Sequence, residues 1–179
     1  SPKVISLIEK ITGIQNQQPD PSLYAGGLSL MTKNNFLNPH IDNSHDGERK
    51  YYRTLNLLYY ISPGWMLDYG GNLELWDTEV KRAITISSTF NRLVIMETNL
   101  NSWHSVSPVT HSENRCCVSN YYFSKQSPSN KEYFNVTSFS ARPNQKILRF
   151  FSKVDSFIRN NIRLVFKKGV GKIDKFQQK

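Results

Sequence analysis

Cysteine is nearly absent from this sequence, because only Cys116 and Cys117 occur and they are neighbours. Adjacent residues of an extended strand point to opposite faces, so these two thiols are not expected to bridge each other. A small scaffold held together by disulfides is therefore excluded, and the cysteine usage favours a reducing compartment. No secretory signal peptide is visible at the start of the sequence, and we expect a cytoplasmic protein.

Long apolar runs and a general excess of one charge are also absent. No stretch approaches the roughly 20 apolar residues that a membrane-spanning helix requires. Residues 1–140 carry 12 Lys and Arg against 12 Asp and Glu, whereas residues 141–179 carry 11 basic and 2 acidic residues. The net charge of +9 therefore belongs to the C-terminal tail. We expect no nucleic-acid partner, since the central region offers no basic surface for one.

Aromatic residues are plentiful, at 12% of the chain, and they suit β-sheet. Short runs with strand-like composition are separated by turn signals such as Asp46-Gly47 and Gly70-Gly71. About eight short strands at this spacing predict a sandwich or a double-sheet jelly roll. The predicted strands are 23–32, 38–42, 51–61, 72–76, 83–86, 92–97, 104–106 and 115–124.

Two helices are predicted to flank the strands. Val4, Ile8 and Ile11 recur at helical spacing in residues 1–12, and Gly13 is a helix end signal. Residues 144–168 repeat that spacing with many basic side chains. We predict a single domain over residues 1–179 with its β core at 22–125. The basic helix has four open roles, which are packing on the sheet or the first helix, a membrane-surface contact, a dimer contact and the binding of an anionic partner.

The tripeptide His-Ile-Asp at 40–42 holds two potential metal ligands two residues apart. In an extended strand, the side chains of His40 and Asp42 point to the same face. His104 is the candidate third ligand. Two histidines and one carboxylate on one face, with other positions open, form the site of non-heme Fe(II) oxygenases. The competing interpretations are a polar loop at residues 40–42 and a hydrogen-bonded core histidine at 104.

Further segments, taken with His-Ile-Asp, resemble in order and spacing the 2-oxoglutarate- and Fe(II)-dependent dioxygenases, in particular the prolyl 4-hydroxylase-like superfamily. They are Arg-Thr-Leu-Asn-Leu-Leu-Tyr-Tyr-Ile at 53–61, Gly-Gly-Asn-Leu-Glu-Leu at 70–75, His-Ser-Val-Ser-Pro-Val at 104–109 and the arginine at 115. The resemblance covers residues 28–124. It implies a mainly β fold, a double-stranded β-helix of the jelly-roll type, with flanking N-terminal and C-terminal helices.

The resemblance implies Fe(II) as the metal, with 2-oxoglutarate and O2 as co-substrates. The implied iron ligands are His40, Asp42 and His104. Arg115 is the implied partner of the distal carboxylate of 2-oxoglutarate, for which a planar guanidinium offers a bidentate match. Tyr60 matches a tyrosine that helps to hold this carboxylate in some relatives.

Two more residues are predicted to line the co-substrate cavity, because Ser119 and Tyr121 share a strand face with Arg115. Some relatives carry a tyrosine on the strand before the His-x-Asp tripeptide, where it contacts the oxo acid. This sequence has none there, and Tyr24 or Tyr121 is the predicted replacement.

The implied reaction hydroxylates a substrate carbon and converts 2-oxoglutarate to succinate and CO2. Two substrate classes stay open, namely a prolyl residue of a peptide and a small molecule such as an amino acid, a saccharide or another metabolite. The rival hypothesis from another class is a non-catalytic jelly-roll binding domain.

Overall fold

The computed structural model describes residues 1–21, 23, 26–129, 131–145, 147–149, 151, 158 and 161–162. One helix, one short 3-10 helix at Leu67–Tyr69 and ten strands have complete bounds within these residues. In chain order they are α1 (Pro2–Thr12), β1 (Gln18–Pro19), β2 (Gly27–Met31), β3 (Leu37–Ile41), β4 (Tyr52–Tyr60), β5 (Leu73–Trp76), β6 (Ala83–Ile86), β7 (Arg92–Glu97), β8 (His104–Val106), β9 (Arg115–Ser124) and β10 (Ser138–Phe139).

The eight predicted strands are present as β2 to β9, and the bounds of β6 to β9 are those predicted. The strands β1 and β10 were missed, because two residues are too few for an alternating pattern to be recognised.

The strands form two antiparallel sheets. The first has the order β1-β9-β4-β7, with β2 also pairing with β9, and the second has the order β10-β3-β8-β5-β6. Successive strands pass back and forth between the sheets, so β3 and β8 become neighbours although more than 60 residues separate them. The predicted jelly-roll fold is confirmed, and its interior receives inward side chains from both sheets.

Helix α1 covers the outer face of the first sheet. Its residue Ile8 is only 3% exposed and belongs to one apolar cluster with Leu55, Leu57 and Tyr122. The predicted helix over residues 1–12 with its end at Gly13 is confirmed. Val4 and Ile11 are 46% and 62% exposed, because the helix turns the side that carries Ile5 and Ile8 toward the sheet.

The predicted helix at 144–168 lies mostly outside the described residues. Its described members at 147–149, 151, 158 and 161–162 are helical, and the Arg149 guanidinium donates to the carbonyl of Val80 at 3.0 Å. Within the described part of the chain, no helix is both long and apolar enough to cross a bilayer. The role of this helix and the single-domain organisation stay predictions.

Candidate metal centre

The pairing of β3 with β8 sets His40 directly opposite His104, with the two ring centroids 4.1 Å apart. Asp42 follows the last residue of β3 and presents its carboxylate to the same interior face. Its oxygens lie 3.8 Å from Nε2 of each histidine. All three side chains are buried, and their ligand atoms lie within 4.8 Å of one another. The structure therefore brings the three predicted ligands to one point.

Backbone carbonyls fix the orientation of both imidazoles. The Nδ1 of His40 lies 3.0 Å from the carbonyl oxygen of Asn38, and the Nδ1 of His104 lies 2.9 Å from that of Ser102. A carbonyl oxygen only accepts hydrogen bonds, so each Nδ1 carries the proton. The lone pair of each ring is then on Nε2, the atom nearest Asp42. This arrangement is typical of histidines that bind a metal ion.

Burial also keeps His40 in the form that binds metals. Burial, which deprives an imidazolium of its hydration, and the neighbouring His104 together lower the pKa of His40 to about 4. The Asp42 carboxylate opposes this shift without reversing it. His40 is therefore neutral near pH 7, as metal coordination requires.

A second polar site lies at the start of β9. Arg115 is only 3% exposed, its guanidinium carbon lies 5.0 Å from the ring centroid of Tyr60, and its Nη1 donates to the sulfur of Met31 at 3.6 Å. Burial raises the pKa of Tyr60, while the positive charge of Arg115 opposes that rise. Tyr60 therefore keeps its proton and can donate a hydrogen bond beside the guanidinium.

A glycine makes room for the buried arginine. Gly71 has a φ of +64°, and a Cβ atom built there would lie 3.1 Å from Val109 and 3.2 and 3.3 Å from the side-chain carbons of Arg115. The Gly-Gly turn at 70–71 thus has a packing function, because any side chain at position 71 would press on the stem of the guanidinium.

Ser119 and Tyr121 lie further along the same face of β9, away from Arg115. The Ser119 hydroxyl donates to the carbonyl of Gly27 at 3.4 Å. Burial raises the pKa of Tyr121, and the negative charge of Asp42 raises it further, which places this hydroxyl at the metal end. The predicted co-substrate residues therefore separate, with Arg115 and Tyr60 together and Tyr121 beside Asp42. Tyr24 lies outside the described residues.

Arg53 is a site residue that the sequence analysis missed. It is 1% exposed, its Nη1 lies 3.7 Å from a carboxylate oxygen of Asp42, and its guanidinium carbon is 3.8 Å from the ring centroid of Tyr121. A second positive charge thus lies deep in the interior, next to the only carboxylate of the candidate metal centre.

A β-bulge explains why the sequence pattern concealed Arg53. Arg53 pairs with Phe123, but Leu55 pairs with Tyr122, so the register shifts by one residue between them. Simple alternation would give Arg53 the outward direction of Leu55. The bulge instead turns Arg53 inward and Thr54 outward, where the threonine hydroxyl donates to Gln17.

Four buried polar atoms near the site have no hydrogen-bond partner among the described residues. They are Asp42 Oδ2, Asn56 Oδ1, the Tyr60 hydroxyl oxygen and Arg115 Nε. Buried polar atoms of native proteins are almost always hydrogen bonded, so these atoms are available to a polar group that binds between the sheets. A divalent cation bound at Asp42 and a carboxylate bound at Arg115 would give partners to the polar atoms of these two residues.

Comparison with known families shows to which family the chain belongs. The sequence profile of the 2OG-Fe(II) oxygenase superfamily matches residues 26–123. The chain belongs to this superfamily. Members use Fe(II) with 2-oxoglutarate and O2, and the buried residues of the metal centre and around Arg115 fit that metal and that oxo acid. A comparison with curated proteins gave no match.

Two solved structures share the fold. One is a prolyl hydroxylase from Trichoplax adhaerens in complex with a hypoxia inducible factor oxygen degradation domain peptide fragment. The match has a TM-score of 0.52 and 24% identity and covers 73% of this chain and 57% of that chain. The other is a prolyl 4-hydroxylase from Phytophthora capsici, with a TM-score of 0.52, 16% identity and coverage of 91% and 52%. The chain therefore spans little more than half the length of either structure.

The Gly71 packing yields a prediction with a matched control. Gly64 has a similar φ of +67° but no atom within 4 Å of a built Cβ. Gly64→Ala should lower the free energy of unfolding by about 1–2 kcal/mol, the cost of a left-handed residue with a side chain. Gly71→Ala should cost a further roughly 1–3 kcal/mol, because the new methyl group overpacks the Arg115 stem. Equilibrium urea unfolding measures both, and equal losses would contradict the packing function of Gly71.

Proposed function

We propose that this protein is an Fe(II)- and 2-oxoglutarate-dependent dioxygenase that hydroxylates a carbon centre and releases succinate and CO2. The proposal rests mainly on the buried convergence of His40, Asp42 and His104, whose ligand atoms lie within 4.8 Å of one another. The buried Arg115 with Tyr60 beside it adds a carboxylate site in the same interior. A non-catalytic binding domain would not need both a set of metal ligands and a carboxylate site.

Each residue has a defined task in this proposal. The Nε2 atoms of His40 and His104 and the Asp42 carboxylate would hold Fe(II), which supplies the activation of O2 when it is bound. Arg115 would bind the far carboxylate of 2-oxoglutarate through two parallel hydrogen bonds, and the Tyr60 hydroxyl would donate a third. The chain thereby fixes the oxo acid from its distal end.

The remaining tasks are orientation and exclusion of water. The metal ligands and Arg115 are each at most 8% exposed, so little solvent reaches the reacting groups. Ser119 and Tyr121 would line the wall of the first sheet between the carboxylate site and the metal. Because burial and the Asp42 charge both raise the pKa of Tyr121, its hydroxyl stays protonated and can donate a hydrogen bond near the metal.

The proposed substrate is a prolyl residue within a peptide. A cavity of about 580 Å³ opens between residues 18–21 and the loop that follows Asp42, and it reaches Phe123 on β9. Phe123 lies opposite Arg53, which in turn contacts Asp42. The buried side chains of Phe123 and Arg53 thus link the wall of this cavity to Asp42. The surface loop beside the cavity is our candidate for substrate selection, since loops on a rigid scaffold commonly select substrates.

Removal of a metal ligand should abolish catalysis and metal binding together. His40→Ala and Asp42→Ala are expected to reduce 2-oxoglutarate-dependent succinate formation to background. Mn(II), a redox-stable substitute for Fe(II), should raise the melting temperature of the parent by mass action and leave both variants unshifted. His111→Ala, which changes a histidine outside the cluster, serves as the control. A parent protein without any Mn(II) shift would favour a binding domain over an enzyme.

Arg115 should control affinity for the co-substrate. Arg115→Ala is expected to weaken 2-oxoglutarate binding on the order of 100-fold, since it removes two charge-assisted hydrogen bonds. Arg115→Lys should recover only part of this loss, because an ammonium group cannot form the paired contact. Isothermal titration of the Mn(II)-loaded protein measures each affinity. An unchanged dissociation constant in Arg115→Ala would refute the role, provided that circular dichroism shows a folded variant.

The substrate class needs a separate screen. We expect proline-containing peptides to stimulate succinate formation and to gain one oxygen atom, as read by product mass. Free amino acids and saccharides form the comparison sets, and the Asp42→Ala variant gives the inactive background. Coupled turnover confined to amino acids or saccharides would support the dioxygenase activity and contradict the proposal of a prolyl-peptide substrate.

A further inference from the structure

A segment beyond the family match contacts the strands that carry the metal ligands. We call residues 131–142 the strap. The family profile ends at residue 123, so the strap lies outside the part of the chain that it matches. Three side chains make its main contacts, namely Asn135 with Asp42, Phe139 with His40, and Arg142 with Glu74.

Asn135 forms the contact closest to the metal ligands. It is 7% exposed, and its Nδ2 donates to the main-chain carbonyl of Asp42 at 2.8 Å and to that of Val136 at 3.2 Å. The main-chain carbonyl of Asn135 accepts from the main-chain N–H of Ser44 at 3.0 Å. The main-chain N–H of Asn135 donates to the Ser44 hydroxyl at 3.0 Å. Asn135 is thus hydrogen bonded to the chain at Asp42 and again at Ser44.

Asp42 needs this support because it lies one residue past the end of β3. The ladder of the second sheet therefore no longer restrains it, while a buried carbonyl still requires a hydrogen-bond donor. The Asn135 amide supplies that donor. A side chain rather than a neighbouring strand thus fixes the backbone of the third metal ligand.

The rest of the strap holds Asn135 in register. β10 pairs with β3, with Phe139 opposite His40, and the two rings stack with centroids 5.3 Å apart. Arg142 then binds both oxygens of Glu74, at 3.2 and 2.7 Å, and the Ser105 hydroxyl donates to the same carboxylate. Ser105 directly follows His104, so the strap is anchored beside all three ligands.

Asn135 also begins the sequence Asn-Val-Thr, which has the form of a glycosylation site. Its amide nitrogen is buried and carries two hydrogen bonds, so in the folded protein it is inaccessible for glycan attachment. The positioning of Asp42 gives this asparagine a structural reason instead.

We infer that Asn135 is a positioning residue of the metal centre, which acts by holding the Asp42 backbone so that its carboxylate faces His40 and His104. The inference rests on the proposed function, because it assumes that these three residues bind a divalent metal. Residues behind the ligands typically change metal affinity by about 10- to 100-fold when they are altered.

The test compares Mn(II) affinity among variants by titration of the free-ion electron paramagnetic resonance signal. Asn135→Ala and the nearly isosteric Asn135→Leu are expected to bind Mn(II) at least about 10-fold more weakly than the parent. Asn144→Ala, an exposed asparagine shortly after the strap, should bind like the parent. Leu55→Ala, which destabilises the α1 cluster on the far face of the first sheet, should also keep parent affinity while it remains folded.

The outcomes separate this inference from the proposed function. A parent that binds no Mn(II) overturns both. A parent that binds Mn(II) while both Asn135 variants match it overturns the inference alone, as does an equal loss in Leu55→Ala.

A second measurement uses only the parent protein and so does not depend on a variant folding. Because coupling between sites is reciprocal, Mn(II) should slow hydrogen exchange of amides in the strap. Unchanged exchange there at saturating Mn(II) would overturn the inference.

Discussion

The antiparallel pairing of β3 with β8 is the constraint on which the metal centre depends. It sets His40 opposite His104, and a slip of one residue would turn one imidazole to the outer face of the sheet. The ladder is irregular between Leu37 and His40, where Pro39 has no N–H to donate. The pairing with β8 ends at His40, and β3 itself ends at Ile41, so the sheet fixes two ligands and leaves the third to other contacts. The geometry of Asp42 is therefore a tertiary property.

Charge balance between the sheets follows from which groups are buried there. The metal end holds the Asp42 carboxylate and the Arg53 guanidinium, and Arg115 adds a second guanidinium at the far end. Fe(II) alone would add two positive charges to an interior that already has a positive excess. The two carboxylates of 2-oxoglutarate would cancel that addition. The interior is therefore better suited to the metal and the oxo acid together than to the metal alone.

The strands and the shared face of His40 and Asp42 could be predicted because both follow from local rules, whereas His104 was only a candidate third ligand until the family resemblance assigned it. Alternation located the strands, and the spacing of His40 and Asp42 set their shared face. Arg53 was missed because a bulge, which no residue type announces, reverses the alternation in β4. Asn135 was missed because its partner lies 93 positions earlier in the chain. The spacing of Val4, Ile8 and Ile11 predicted the helix α1 but not its covered side, since only the docked sheet decides which side of a short helix is covered.

The two flanking segments act on different halves of the fold. α1 covers the first sheet, whose inner face carries Arg115 and Tyr60, whereas the strap lies against the second sheet, whose strand β8 carries His104. Apolar packing at Ile8 therefore stabilises the wall that would bind the oxo acid, without contact to the metal ligands. The strap instead acts through directional polar contacts at the ligands themselves. The stability of the first sheet and the geometry of the metal centre thus depend on different segments, so a substitution in one segment can change one property without the other.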